Sequence, residues 1–181
     1  EELDLLTNPD LDMEIRLLQR QLPLKTLKTR GGMLATVELI GNHPTLTHLH
    51  LSELHHGCRS ALSTALSKLP NLVTLEVSQI GRVLFDWPDV DDELPELPLE
   101  LHAARNLSLH FRGCRPPVLV GPNVTELTTN GASFHDLLPS LLTMPKLQIL
   151  TPPRSPAAAE LDVQPRFDVQ ARFLCALADY R

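Results

Sequence analysis

Apolar residues recur along the chain in a short pattern, LxxLxL, which is typical of a strand with one buried face. Its clearest copies are residues 46–54 (LTHLHLSEL) and 72–80 (LVTLEVSQI), which align without a gap at a period of 26 residues. The three apolar positions of each copy are named the first, second and third anchors. Weaker copies on both sides continue the series, and its second anchors are Leu3, Leu27, Leu49, Leu75, Leu107, Leu127 and Leu150.

The segments between these predicted strands have a different period. Residues 58–69 carry apolar side chains at the i, i+3, i+4 spacing of an amphipathic helix, and Pro70 ends that helix. Shorter patches of the same kind predict helices over 13–22, 33–40 and 134–142. Strand followed by helix, repeated every twenty-odd residues, predicts an α/β fold with a parallel sheet.

Two architectures fit this alternation. A leucine-rich α/β domain without repeats could produce one matched pair of segments, but its buried strands would read as continuous apolar runs. One gapless pair with five weaker copies favours a repeat architecture.

The stretch HPTLTHLHLSELHHGCRSALSTALSKLPNLVTLEVSQIG, residues 43–81, resembles a leucine-rich repeat domain. The resemblance covers roughly residues 1–151 and implies a solenoid with parallel strands on the concave face and helices on the convex face. The asparagine that the family carries after the strand is mostly absent, since Leu54, Ile80 and Arg112 stand in its place. The repeats are therefore similar to the irregular, helix-backed repeats of F-box-associated and PRAME-like intracellular proteins, although the chain contains no identifiable F-box sequence.

The longest spacing between second anchors contains an acidic, proline-rich insertion, residues 86–100. Its seven acids repel one another and its prolines withhold backbone donors, so a solvated loop is expected. An alternative is a partner-binding loop that presents Trp87. A calcium site is disfavoured because the segment lacks the glycine and the distal glutamate of an EF-hand loop.

Beyond residue 151 the anchors stop. Residues 152–181 predict a proline-rich linker followed by a helix over 166–180 that caps the open end of the solenoid.

Composition narrows the functional classes. Leucine accounts for 38 of 181 residues, so one residue type supplies most of the core. The net charge of −6 argues against nucleic acid as a partner, and no apolar run is long enough to cross a membrane. Three widely spaced cysteines predict no disulfide framework, which favours a reducing compartment, cytoplasmic or nuclear.

Catalytic and metal-binding signals are sparse. The chain has no nucleophile elbow, phosphate-binding loop or zinc-protease motif, so no enzymatic activity and no cofactor are expected. His48 and His50 project from the same side of one predicted strand and could share a metal ion. Ordinary polar residues on a binding surface are the favoured explanation, and no metal is predicted.

The residues that flank each buried anchor define a predicted concave face. They are Thr26, Lys28, Arg30, His48, His50, Ser52, Thr74, Glu76, Ser78, Asn106, Ser108, His110, Glu126, Thr128 and Asn130. Short polar side chains of mixed charge on a rigid sheet suit recognition of another protein rather than of a small apolar ligand. The partner-binding residues predicted from the sequence are Lys28, His48, His50, Thr74, Glu76, Ser108, His110 and Glu126, with Trp87 from the insertion.

The chain is therefore predicted to be a non-enzymatic protein-interaction module. Two alternatives are the substrate-recognition part of a ubiquitin-ligase complex or bacterial effector, and a constitutive structural subunit of a large complex.

Overall fold

A computed structural model of the protein describes residues 1–6, 10–30, 34–55, 58–81, 98–112, 116–132, 134–151 and 167–168. Its helices are α1 (Leu11–Leu18), α2 (Leu34–Ile40), α3 (Arg59–Ser67) and α4 (Phe134–Leu141). Its strands are β1 (Glu2–Asp4), β2 (Thr26–Thr29), β3 (His48–Leu51), β4 (Leu54–His55), β5 (Thr74–Gly81), β6 (Leu99–Glu100), β7 (Asn106–Arg112), β8 (Leu119–Val120), β9 (Glu126–Asn130), β10 (Ile149–Thr151) and β11 (Phe167–Asp168).

The fold is α/β with a mostly parallel sheet. Seven strands run parallel in the order β1-β2-β3-β5-β7-β9-β10, so strands that follow one another along the chain are neighbours in the sheet. The seven predicted second anchors pair with one another from strand to strand, and the parallel strands predicted from the LxxLxL pattern are confirmed with their register.

The start of each strand is tied to the preceding strand by a repeated main-chain contact. The carbonyl oxygen of Lys25 accepts hydrogen bonds from the backbone N–H groups of Thr47 and His48, at 2.8 and 3.0 Å. The same doubly accepting carbonyl recurs two residues before five other second anchors, at Glu1, Thr47, Val73, Arg105 and Thr125. We call this series the carbonyl ladder; it fixes the register of all seven parallel strands.

A proline-containing turn precedes four of the strands. In each turn the residue before proline accepts a hydrogen bond from the backbone N–H of the first anchor, three residues later. Proline suits the second position of such a turn because its fixed φ is the one that the turn requires. The four turns are His43-Pro44-Thr45-Leu46, Leu69-Pro70-Asn71-Leu72, Gly121-Pro122-Asn123-Val124 and Met144-Pro145-Lys146-Leu147.

The four predicted helices are confirmed, with small differences at their ends. Helix α1 begins earlier than predicted, because the Asp10 side chain accepts hydrogen bonds from the backbone N–H groups of Asp12 and Met13 and so caps the helix. Helix α3 ends at Ser67, before the turn that contains Pro70. No described helix is long and apolar enough to cross a membrane.

One hydrophobic core lies between the helices and one face of the sheet. The second anchors of the five strands from β2 to β9 are at most 2% exposed, and Leu18, Ile40, Leu62 and Leu137 of the helices belong to the same cluster. Side chains that alternate with the anchors are exposed or half-buried. Within the described ranges, helices therefore cover a single face, unlike a doubly wound sheet, which is covered on both.

The layer behind the sheet is not helical throughout. Neighbouring elements of this layer follow the order α1, α2, α3, β6, β8, α4, and the described part of two of the six connections contributes a short strand. Only 20 residues separate Leu107 from Leu127, and the short β8 crosses the layer where a helix would need more chain. Among the described residues, the layer behind the sheet therefore contains two short strands, β6 and β8, besides the four predicted helices.

The predicted insertion over 86–100 is too long at its C-terminal end. Leu99 is 2% exposed and pairs with Leu119 in the two-stranded sheet formed by β6 and β8. Leu99 and Glu100 therefore belong to the folded layer, while the earlier part of the insertion, including Trp87, lies outside the described residues.

A β-bulge shifts the pairing of the strand ends. Leu54 and Phe111 both pair with Ile80, so the counterpart of Leu54 on β7 is Phe111 and not Arg112 as the sequence alignment predicted. The bulge between Val77 and Ile80 adds one residue to β5.

Glycine is required at position 131 for two reasons. Its φ is +78°, and a Cβ there would lie 1.9 Å from the carbonyl oxygen of Phe111.

The C-terminal edge of the sheet is lined by an antiparallel strand. Phe167–Asp168 forms β11 and pairs with β10. These two residues lie in a strand and not in the capping helix predicted over 166–180; the rest of that segment lies outside the described residues.

Candidate functional site

The sheet face opposite the helices carries two rows of side chains, all polar except Ile149, and is called the open face. Each row consists of residues paired in register across the parallel strands, and none of these side chains is fully buried. The first row is Glu2, Thr26, His48, Thr74, Asn106, Glu126 and Ile149. The second row is Asp4, Lys28, His50, Glu76, Ser108, Thr128 and Thr151.

The structure brings most of the sequence-predicted binding residues together on this face. Seven of them lie in the two rows: Lys28, His48, His50, Thr74, Glu76, Ser108 and Glu126. His110 is exposed further along β7, where it pairs with Asn130. Trp87, the predicted binding residue of the insertion, lies outside the described residues.

Lys28 is held by two carboxylates of the neighbouring strand. Its Nζ lies 2.7 Å from Oε1 of Glu2 and 3.8 Å from Oδ2 of Asp4. The hydrogen bond and the negative charge of Glu2 are the main reasons that the pKa of Lys28 is raised above its usual value. The ammonium group is thus charge-compensated within the protein, and an external anion would have to compete with both carboxylates.

His50 lies at the centre of the second row and joins two neighbouring polar groups. Its Nδ1 is 3.1 Å from Oε2 of Glu76, and its Nε2 is 3.2 Å from Oγ of Ser78. Because an ionised carboxylate only accepts, Nδ1 carries the proton of the first contact, and a neutral Nε2 accepts from the Ser78 hydroxyl. The imidazole is 23% exposed and the Glu76 side chain 48%, so Glu76 presents its carboxylate to solvent while His50 orients it.

These groups surround a shallow recess of about 300 Å³ on the open face. The recess spans the first three strands and β5, and its polar lining includes Glu2, Lys28, His48, His50, Thr74 and Glu76. Carboxylates stand on both sides of it, with hydroxyl and imidazole groups between them. The arrangement offers hydrogen-bond acceptors to a segment lying across the strands.

A metal site built on His48 and His50 has little geometric support. His50 faces Glu76 and Ser78, whereas Nδ1 of His48 lies 2.9 Å from the hydroxyl of its own neighbour, Thr47. Among the described residues, no three His, Cys, Asp or Glu side chains come together as metal ligands. Cys58, one of the three cysteines, is buried, and this burial raises the pKa of its thiol.

Four residues of the two rows were missed by the sequence analysis: Glu2, Asp4, Ile149 and Thr151. Glu2 and Asp4 flank the second anchor Leu3 as Lys28 and Thr26 flank Leu27, but the first predicted unit lacks its first anchor and its flanking residues were not enumerated. Alternation about Leu3 alone would have identified them. The contacts of Lys28 with Glu2 and Asp4 mean that it is part of a charge-compensated group and not an isolated cation on the binding surface.

The comparisons with known proteins add no family to this picture. No protein-family model matches the chain, and neither a curated protein nor a solved structure matches it.

Proposed function

We propose that the chain is a leucine-rich repeat solenoid that binds another protein through its open face, without catalysis of its own. The observation that carries the proposal is the register, which lines up polar side chains of consecutive parallel strands in two rows on a face that no described helix covers. A surface of this kind offers many hydrogen bonds on a backbone that does not have to reorganise on binding.

The repeat character is supported by contacts between neighbouring units. Every step of the carbonyl ladder joins one strand to the next. The side chain of the residue after each turn proline donates a hydrogen bond to the preceding unit. Thr45 Oγ1 donates to the Leu24 carbonyl, Asn71 Nδ2 to the Pro44 carbonyl, and Asn123 Nδ2 to the His102 carbonyl. Contacts confined to sequential neighbours are the defining property of solenoids.

In this proposal the sheet is curved, because neighbouring strands lie closer together than neighbouring helices in the layer behind them. Parallel strands are about 4.8 Å apart, whereas packed helices need about 8–10 Å. A row of helices behind a row of strands therefore bends the sheet so that its open face becomes concave. The recess around His50 then lies inside the curve, where a bound segment contacts several strands at once.

A charge exchange on the open face tests the proposal. The double variant His50→Glu with Glu76→Lys places an ion pair where a histidine now contacts a glutamate and so spares the fold, while it changes the charges offered to a partner. Its matched control on the helical layer, Ser60→Glu with Glu38→Lys, changes the net charge by the same amount at two exposed positions.

The measurement is photo-crosslinking in cell extract, with a photoreactive residue at Thr128 on the open face or at Ser67 on α3. We expect one protein to be crosslinked through Thr128, and its capture to be lost in the open-face variant and kept in the control. Crosslinking through Ser67 alone, or capture that the open-face variant leaves intact, would place the binding site elsewhere.

A further inference from the structure

We infer that the segment bound by the open face is basic, with arginine or lysine side chains that reach the carboxylates of the sheet. The inference rests on the proposed function, because it names the chemistry of the partner for that same face. The two polar rows contain four carboxylates, Glu2, Asp4, Glu76 and Glu126, and a single ammonium group, Lys28. With neutral histidines the rows carry a net charge of −3, half of the −6 of the whole chain.

The only cation of the rows cannot serve an acidic partner. Lys28 already contacts Glu2 and Asp4, so these three groups together carry one excess negative charge. Just past the strand ends, Arg30 and Glu53 are both exposed, and together they add no net formal charge. A basic partner meets exposed carboxylates, whereas an acidic partner meets repulsion at both sides of the recess.

The acidic stretch of this chain is a poor occupant for the same reason. Residues 86–100 carry seven acids and no base, so like charges oppose their docking on the open face. A second copy of the chain is disfavoured too, because two open faces of charge −3 would have to meet.

The register also sets a spacing for the bound cations. Asp4 and Glu76 belong to the same row and are separated by three strand-to-strand steps, about 14 Å at the usual strand spacing. An extended segment advances about 3.4 Å per residue, so two cations about four residues apart match these carboxylates. Residues at that spacing point to the same side of an extended chain, which allows both to face the sheet.

The guanidinium group of arginine fits this surface best. It binds a carboxylate through two parallel hydrogen bonds, and the Glu76 carboxylate is held toward solvent by the contact of its Oε2 with His50. The hydroxyl of Thr74 and the imidazole of His48 line the recess between the carboxylates and can contact the backbone of the segment.

Synthetic peptides test the inference on the intact protein. The probes have one serine and threonine background and carry either arginine or glutamate at every fourth position. We expect the arginine peptide to bind at least about tenfold more tightly than the glutamate peptide, and to lose affinity at high salt because charges drive the association. NMR titration of the amide signals measures affinity and location together, and the shifted signals are expected in β2, β3 and β5.

Variants of equal charge separate a local effect from a general one. Glu76→Lys with Glu126→Lys alters the open face, whereas Glu38→Lys with Glu100→Lys alters exposed positions of the opposite layer by the same net charge. Binding of the arginine peptide is expected to fall about tenfold or more in the first variant and to change little in the second.

Three results would overturn the inference. They are an equal loss of binding in both variants, tighter binding of the glutamate peptide, and dimers of the protein that only the first variant dissociates. If the crosslinked partner is captured through Thr128 but its bound segment is not basic, the inference fails while the proposed function stands.

Discussion

The third anchor is a threonine at two places in the sheet, Thr29 on β2 and Thr129 on β9. The two hydroxyl groups differ in whether the surrounding protein supplies a hydrogen-bond partner. They stand at the two ends of one register row whose inner members are Leu51, Val77 and Leu109. Thr29 donates its hydroxyl hydrogen to the buried carboxylate of Glu14. The hydroxyl of Thr129 is buried with no hydrogen-bond partner among the described residues.

The difference comes from the layer behind each strand. Helix α1 buries Glu14, which is 2% exposed, toward Thr29. Helix α4 buries Ser140, but its hydroxyl accepts a hydrogen bond from the backbone N–H of Leu119 on β8. The same residue type at the same register position is therefore stabilising at one end and costly at the other, because a buried polar group depends on its partner.

The largest expected effect lies between the two threonines, where the row is apolar. Leu109→Ala should reduce the free energy of unfolding by about 2–5 kcal/mol, because it removes a side chain that is 1% exposed and leaves a cavity between β5 and β9. Chemical denaturation measures the loss. The control is Leu142→Ala, since Leu142 is 66% exposed and should tolerate truncation. A loss below about 1 kcal/mol for Leu109→Ala would contradict the burial of the row.

A smaller loss is expected at the partnered end. Thr29→Val keeps the shape of the side chain but removes the donor to Glu14, which should cost about 1–3 kcal/mol because a buried carboxyl group is left without that hydrogen bond. Denaturation curves compare it with Thr29→Ser, which keeps the hydroxyl and should cost less.

The rescue experiment for this pair is Glu14→Leu combined with Thr29→Val. Replacing both buried polar groups with apolar ones should recover most of the loss, so the double variant should be more stable than Thr29→Val alone. Additive losses in the double variant would mean that the contact between Glu14 and Thr29 contributes nothing to stability.

The smallest effect, and the only gain, is expected at the unpartnered end. Thr129→Val removes a buried hydroxyl without changing the shape of the side chain, and should raise stability by about 1 kcal/mol and Tm by about 2–4 °C. Thermal unfolding followed by circular dichroism measures the shift. A lower Tm for Thr129→Val would show that its hydroxyl is satisfied in solution.

The parts of the fold that obey a period could be predicted from the sequence. Alternation about Leu49 and Leu75 identified strands whose register the structure confirms, and the apolar stripe of residues 58–69 identified α3. The two-residue strands β6 and β8 are too short to carry a period. The bulge in β5 adds one residue without any sequence mark that we recognise, so Arg112 was matched to the wrong partner.

The candidate site was predictable as a face and not as a set of contacts. Parity along each strand placed Thr74 and Glu76 on the polar side of the sheet, because side chains alternate between its two faces. The contacts of His50 with Glu76 and Ser78 depend on side-chain rotamers that the sequence does not specify. The proline turn, in contrast, recurs four times in the sequence and could have strengthened the weaker repeats at Val124 and Leu147.

The carbonyl ladder has a consequence for how such a chain can change in length. Successive second anchors are separated by as few as 20 and as many as 32 residues, yet each ladder step has the same geometry, because it involves only the residues at the start of two strands. The lengths of the connections therefore do not determine how the strands are aligned with one another. Removal of residues 47–72 would join Leu46 to Val73 and offer the Lys25 carbonyl the N–H groups of Val73 and Thr74, so we expect the shortened chain to keep this step of the ladder.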